Sequence, residues 1–458
     1  MFEVNTWIFI PNSLDINRLT YDKSDFYKDL KSNIRLITPA FLLRDIADPK
    51  KPPFVHLENS FMTLAGNPVR TNIREYEHQL KMFHSILKSS LREHREHIIR
   101  NILTEDREYL IASYLLNTRS IMSNYRGLRH IISVPTVSKE QFNIFLLGDE
   151  FMSNLIEQHT FILADDLDKG YPDVYAEAGS SLLELIRSEN DYRRSKGFPV
   201  PGVGNPDQNM ELIYRRGVLK KLFESQLFLS TRKKKDGLIF EQLIYSAAAG
   251  LAMIFATGIA FAFQRKYGNF TTPLFFALVV SYMFKDRLKD LMRFYFAGKL
   301  KKVFFDHKTK IMVRNDQPIG WCKESFDFVS EEKIPAEIKS KRKNSVLMES
   351  ECAEGWEKVI LYRKLMRLDR PSLDNVFTDF TITGVNDIIR FNVSNYIQNM
   401  DNPEIPVRHL TESGYDVISG PKVYFLTLII NINHDGEVHN NAYRVTFNRS
   451  GIRKVESL

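Results

Sequence analysis

Residues 243–263 read LIYSAAAGLAMIFATGIAFAF, 21 positions without a charged side chain. As a helix rising 1.5 Å per residue, this stretch is about 31 Å long, close to the ~30 Å hydrocarbon thickness of a bilayer. A core helix of a soluble protein carries polar residues on at least one face. This stretch offers only Tyr245, Ser246 and Thr257, which a membrane helix tolerates. The sequence therefore predicts a transmembrane helix.

Working outward, six residues follow (Gln264-Arg265-Lys266-Tyr267-Gly268-Asn269), then a second apolar run, Phe270–Phe284, FTTPLFFALVVSYMF. Thr272 before Pro273 suits a helix start, because proline fits the first turn and threonine caps it. The second run is about 22 Å if helical. Lys285, Arg287 and Lys289 beyond it can snorkel, keeping their stems apolar and their heads at the interface. A two-helix transmembrane hairpin over 237–284 is the expectation. Leu288, Leu291, Met292, Tyr295 and Leu300 continue as an amphipathic pattern, so 285–316 is expected to be a basic juxtamembrane helix and linker.

The charge pattern gives an orientation. The chain carries +7 overall. Residues 215–236 hold eight basic against two acidic side chains, and residues 285–302 hold seven against two, which leaves the remainder net negative. The link between the helices holds only Arg265 and Lys266. Basic flanks favour the cytoplasmic side, so both ends of the hairpin, and both termini, are expected there. This concentration also argues against a nucleic-acid-binding surface, which would spread its cations. Lys233, Lys234, Lys235, Lys285, Arg287, Lys289 and Arg293 are the expected contacts to anionic lipid headgroups. The segment Ser281–Arg287 has the look of a bacterial inner-membrane protein, and a multi-pass location in that membrane is the expectation.

Ala248, Ala252, Ala256 and Ala260 recur every four residues beside Ser246 and Gly250. Such ladders let helix backbones approach closely in lipid. They serve either the hairpin's own packing or a homo-oligomer through the first helix. No acidic, basic or histidine side chain falls inside either apolar run, which speaks against a proton relay there.

The flanks differ in character. Residues 1–236 are expected to form a mainly helical cytosolic domain. It has a short strand at Trp7–Ile10, a second strand at Ile34–Leu43, and a long helix near Asn72–Leu103 with Leu80, Phe83, Leu87, Leu91, Ile98 and Ile102 on one face. Thr104 with Glu105 and Asp106 starts another helix. Ser138 with Gln141 is a capping box opening a third, to about Ala164. Further helices are expected near Asp173–Ser188 and Met210–Leu229, the last leading almost directly into the membrane. Residues 317–458 are expected to form a β-rich cytosolic domain. Its strands are Val376–Thr383, Asp387–Ile397, Val423–Asn433, Tyr443–Phe447 and Ile452–Val455, with helix near Gly355–Arg367 and a charged, loosely held segment at Lys333–Arg342. Asp435-Gly436 marks a turn, read as part of a longer loop. The fold class is thus an α+β membrane protein.

Few motifs that carry chemistry are present. There is no P-loop, nucleophile elbow or HExxH, and Gly202-Val203-Gly204 sits among prolines rather than between strand and helix. Glu93 and His97 share a helix face, but carboxylate-bridged metals need matching contributions from other helices. His94-Arg95-Glu96 lacks the Pro-Cys-x-x-Cys of a deaminase. Asp166, Asp168 and Glu177 match three positions of a calcium loop, yet Tyr171 stands where glycine is needed. His409, His434 and His439 fall in the β-rich part. Two cysteines, Cys322 and Cys352, cannot build a disulfide framework or a thiolate zinc site. No cofactor and no metal site are expected. The function expected is a membrane-anchored cytosolic interaction or sensing protein with an unidentified cytosolic partner. The alternatives are an oligomerising membrane-perturbing effector and an enzyme of unfamiliar class.

Overall fold

The computed structural model describes residues 1–101, 103–313, 317–342 and 357–458, apart from the side chains at 297–303 and 376. It is a mixed structure, 56% helical and 25% strand. It divides into two compact units: residues 1–32, 230–372 and 389–458 form one, and residues 33–229 and 373–388 the other. Both units therefore draw on both halves of the chain, unlike the division at 236 and 317 expected from composition.

The first unit is built on an eight-stranded sheet in the order β12-β11-β10-β1-β6-β5-β4-β3. Its strands are β1 (Phe2–Pro11), β3 (Ser230–Lys235), β4 (His307–Val313), β5 (Gln317–Val329), β6 (Glu357–Leu368), β10 (Tyr424–His434), β11 (Glu437–Asn448) and β12 (Gly451–Ser457). β1 is a central strand, antiparallel to β10 on one side and β6 on the other, with Ile8 opposite Leu428 and Ile360. This is why Trp7–Ile10 is a continuous apolar run: both faces are covered. Ile8 and Ile10 pack with Phe26, Phe326, Tyr362 and Phe447, and Trp7 and Phe9 pack on the other face with Ile334, Ile338 and Val359. Phe26 belongs to α1 (Lys23–Asp29).

Three sequence expectations are corrected in this unit. Residues 357–368 are strand β6, not helix; their Leu, Lys, Arg and Met content favours a helix, but Val359, Ile360, Tyr362 and Met366 are buried in the sheet's core. Residues 355–356 lie outside the described set, as does Cys352. The Lys333–Arg342 segment is held: Ile334 and Ile338 dock on the sheet, and Arg342 of α12 (Ala336–Arg342) pairs with Glu357 and stacks on Phe9 at 4.6 Å. The loop between β10 and β11 is only Asp435-Gly436, with φ of +49° and +96°, the left-handed pair that a tight hairpin requires. The strands run past the apolar core to reach it, through polar pairs such as Asn431 Nδ2 donating to Asn440 Oδ1 at 2.7 Å.

The second unit is helical. It comprises α2 (Leu43–Ala47), α3 (Phe54–Gly66), α4 (Arg70–Arg100), α5 (Thr104–Gly127), α6 (Arg129–Ile132), α7 (Lys139–Gly170), α8 (Pro172–Lys196) and α9 (Pro206–Glu224). Ser138 caps α7 by accepting from the Gln141 N–H, as its sequence predicts, but α7 and α8 each run well past their expected ends. α7 packs on α4, α8 and α9. Between the helices, Phe83, Tyr125 and Phe145 stack with centroids 5.9 and 4.9 Å apart. Residues 373–388 return to this unit from the C-terminal half. They are not the strand expected at Val376–Thr383: Phe377, Phe380 and Ile382 are buried, and Gln79 Nε2 donates to Asp379 Oδ2 at 2.6 Å. Ile34–Leu43 likewise holds strand only at its start, in β2 (Leu30–Leu36), which pairs with β7 (Val385–Phe391). β8 (Glu404–Thr411) and β9 (Gly414–Pro421) form a separate exposed hairpin.

His159 on α7 is largely buried, with Nδ1 unpartnered. Burial first, then the Arg95, Lys88 and Arg92 cations, push its pKa down to about 4. It is therefore neutral when folded and protonates more readily when unfolded. Its stabilisation is complete above pH 6.5 and is lost as pH falls from about 6.5 to 4, to the extent of about 2–3 kcal/mol. His159→Gln is expected to flatten that part of the stability–pH curve, measured by urea unfolding at pH 7 and pH 4.5.

Candidate membrane anchor

The apolar region is an excursion from the tip of a β-hairpin. β3 and β4 are adjacent antiparallel strands, with Ser230 opposite Met312 and Lys235 opposite His307. α10 (Leu238–Tyr267) leaves at the end of β3, and α11 (Thr272–Val303) returns at the start of β4. The two helices pack along each other. Contrary to expectation, the last helix of the helical unit does not lead into the apolar region; strand β3 intervenes.

Gly237 makes the exit turn. Its φ is +69°, and a Cβ there would lie 2.6 Å from Phe304 Cγ. Phe304 in turn stacks on Phe240 at 5.5 Å. Gly237→Ala therefore meets both backbone strain and a ring, and is expected to weaken the foot of the hairpin by ~1–3 kcal/mol. Faster proteolytic cleavage near residues 236–240 in the folded protein is the readout.

α10 is long and apolar enough to cross a membrane, and the only such helix among the described residues. Its most apolar window is 11% buried. Leu251, Ile254 and Phe261 are exposed on it, as are Phe275, Phe276 and Met283 on α11. Ala248 and Ala252 are buried, Ala256 and Ala260 half-buried, whereas Ser246 and Gly250 face outward. Ala277 and Ser281 are buried on α11, and the Ser281 hydroxyl donates to the Ala256 carbonyl at 3.1 Å. The alanine ladder is thus taken up within the hairpin, and its two other small residues stand apart from that seam.

The pairing of the helices sets which residues share a level. Ala256 meets Ser281, and Arg293 stacks over the Tyr245 ring at 5.3 Å. Counting four residues from the first contact, Lys285 is level with Ala252. The charged part of α11, from Lys285 to Arg293, thus lies beside the charge-free lower part of α10. α11 is one unbroken helix through residue 284, so the apolar run and the basic residues beyond it share one helix. The expected headgroup residues fall into two tiers. Lys233, Lys234 and Lys235 are on β3, at the foot. Lys285, Arg287, Lys289 and Arg293 stand roughly 15–27 Å away along the hairpin, from the helical rise to the end of α11. Lys289 pairs with Asp286 at 3.7 Å, and Lys285 stacks on Tyr282 at 3.9 Å.

The foot holds polar residues that sequence reasoning missed. Asp306 accepts from Lys23 Nζ at 2.7 Å, the Tyr27 hydroxyl at 3.1 Å and the Phe326 N–H at 2.8 Å. Lys233 Nζ lies 4.3 Å from the Tyr27 ring centroid, and His307 meets the same ring edge-on at 4.4 Å. Burial, then the Asp306 and Glu324 carboxylates, raise the Tyr27 pKa, so its hydroxyl stays a donor. Burial and the Lys233 cation lower that of His307, against the pull of Asp306 and Glu324. These residues are brought together from positions 23–28, 233–235 and 306–307, a proximity that no local pattern reveals.

The weak acidic and histidine constellations of the sequence do not assemble into sites. Glu93 accepts from Ser89, His94 reaches the Leu110 carbonyl, and Asp166 lies 3.9 Å from Arg95. His409 is on β8, while His434 and His439 sit beside Asp435 and Glu437 on the β10–β11 hairpin. The buried carboxylates of the helical unit are paired: Asp149 and Glu189 with Arg126, Glu150 with Arg215, Glu157 with Arg193 and Arg216. Among the described residues no three His, Cys, Asp or Glu side chains are grouped to hold a metal. No protein-family model matches the chain, nor does any curated protein or solved structure.

Proposed function

We propose that the chain is a membrane-anchored protein whose sheet and helical units stand on one side of a bilayer, tethered by the α10–α11 hairpin for interaction with a cytosolic partner. The observation that carries this is the insertion of the hairpin between two paired strands. Lys235 and His307 are register partners, so the chain must leave and return on the same side. The sheet cannot straddle a bilayer at that point. The basic flanks then favour the cytoplasmic face for both.

Magnitudes decide how deep the hairpin sits. If the hydrocarbon began at Leu243, six charged groups of α11 between Lys285 and Arg293 would lie in lipid, some near its centre. At up to ~3 kcal/mol each, that costs roughly 10 kcal/mol or more. If it begins at Lys285, the loss is the lipid contact of Leu243, Ile244 and Leu251, about 1–2 kcal/mol. The second placement is favoured. Thr272–Phe284 then supplies ~20 Å of apolar length. Lysine stems at Lys266 and Lys285 reach outward to cover the rest. Below the level of Lys285, the two helices form a stalk down to the sheet.

Spin labels test the depth. In a chain with Cys322→Ala and Cys352→Ser, labels at Phe255→Cys and Phe276→Cys are expected to be open to oxygen and shielded from an aqueous nickel chelate. Labels at Leu243→Cys and Phe294→Cys are expected to show the reverse. Shielding at all four positions would place the boundary at the foot instead.

A further inference from the structure

At the foot of the stalk, α1, β3 and β4 enclose an open groove of about 760 Å³ whose lining includes five lysines, Lys23, Lys28, Lys233, Lys234 and Lys235, and one acidic residue, Asp306. That volume suits a small-molecule ligand. Asp306 is already saturated by Lys23, Tyr27 and the Phe326 N–H. The remaining cations are only loosely neutralised. Lys28 pairs with Asp25 where both are exposed to solvent, and Lys235 with Glu241. Lys233 is 3.6 Å from Glu324, which also accepts from the Tyr362 hydroxyl at 2.6 Å and lies 3.7 Å from Lys364. Lys234, between Lys233 and Lys235 on the strand, directs its side chain to the opposite face, with Lys308. Exposed lysine pairs contribute little to stability, so exchanging them for a multiply charged anion is not opposed by the fold.

From this geometry we infer that the groove is a binding site for a phosphorylated small molecule carrying several negative charges, held by Lys28, Lys233 and Lys235 over the Tyr27 ring. Lysine ammoniums bind phosphate as point charges without demanding one orientation. Tyr27 supplies a rigid floor, fixed by Asp306 below and by the edge of His307 at its side. His307, whose pKa the neighbouring lysines help to depress, is the built-in reporter: an anion in the groove must raise it. The site belongs to the sheet unit alone and does not depend on how deep the hairpin sits. The same phosphate chemistry could arrive free in solution or on a lipid headgroup.

The test uses the full chain in nanodiscs. Inorganic tripolyphosphate is titrated by calorimetry, with the His307 imidazole followed by NMR. Phosphatidylinositol bisphosphate is offered separately in the nanodisc. Tripolyphosphate is expected to bind and raise the His307 pKa, with affinity falling at least tenfold in Lys28→Gln/Lys235→Gln. The equal charge change Lys285→Gln/Lys289→Gln is expected to leave it within twofold. A response to the lipid alone, lost in the same Lys28→Gln/Lys235→Gln variant, supports the site with a lipid-borne phosphate and overturns the shallow placement of the hairpin. No binding of either probe, or equal binding by both double variants, overturns the inference.

Discussion

Replacing residues 237–305 with Asn-Gly is expected to move the protein from the membrane pellet to the soluble fraction with its eight-stranded sheet intact. The reason is local. Lys235 and His307 face each other across β3 and β4, and the Asp236 N–H already reaches the Asp306 carbonyl at 3.4 Å. A two-residue turn with both φ values positive closes such a pair. Asp236 and Asp306 keep their partners Lys323 and Lys23, at 2.9 and 2.7 Å. The deletion removes the exposed apolar side chains of α10 and α11, each worth ~0.3–0.6 kcal/mol in lipid, and with them the attraction to the membrane. Retention of the shortened chain in the pellet, under conditions where its sheet spectrum is unchanged, would mean that another surface binds lipid.

Arg193→Met is expected to destabilise the helical unit by ~3 kcal/mol or more. The Arg193 side chain is 0% exposed. Its guanidinium donates to Asn154 Oδ1 at 2.6 Å and Asn190 Oδ1 at 2.5 Å, and lies 2.7 Å from Glu157 Oε1. Removing one partner of a buried ion pair leaves the other to bear its desolvation. Glu157 keeps Arg216 at 2.5 Å, which limits the loss. The double variant Arg193→Met/Glu157→Met deletes both charges, and Arg216, one-quarter exposed, can turn to water. It is therefore expected to be more stable than the single variant. Urea unfolding of the full chain in detergent, followed by far-ultraviolet circular dichroism, measures both. A double variant less stable than Arg193→Met would show that the pair is not the source of the cost.

Local signals were legible where one element satisfied itself. The charge-free run at 243–263 needs no tertiary partner to declare a lipid-compatible helix. The Ser138–Gln141 cap and the β10–β11 hairpin are likewise contained in a few neighbouring residues. What stayed hidden depends on distant partners. Trp7–Ile10 reads as a strand, but its place between β6 and β10 joins positions more than 340 residues apart. Residues 357–368 carry helix-favouring side chains and become strand because sheet neighbours bury them. Residues 373–388 join the helical unit through Phe377 and Phe380, which as isolated aromatics read equally well as strand. The two tiers of cations are adjacent in composition but far apart along the helices, and only the pairing of Ala256 with Ser281 reveals it. The lysine groove could not be read at all, since three separated segments build it.

The most direct measurement is the sidedness of single cysteines in sealed vesicles of known orientation. With Cys322→Ala and Cys352→Ser as background, Leu19→Cys and Ser413→Cys mark the sheet unit, and Asn269→Cys marks the tip between α10 and α11. A membrane-impermeant maleimide is expected to label the first two from the cytoplasmic side and Asn269→Cys only from the opposite side. Labelling of all three from one face would contradict the crossing hairpin.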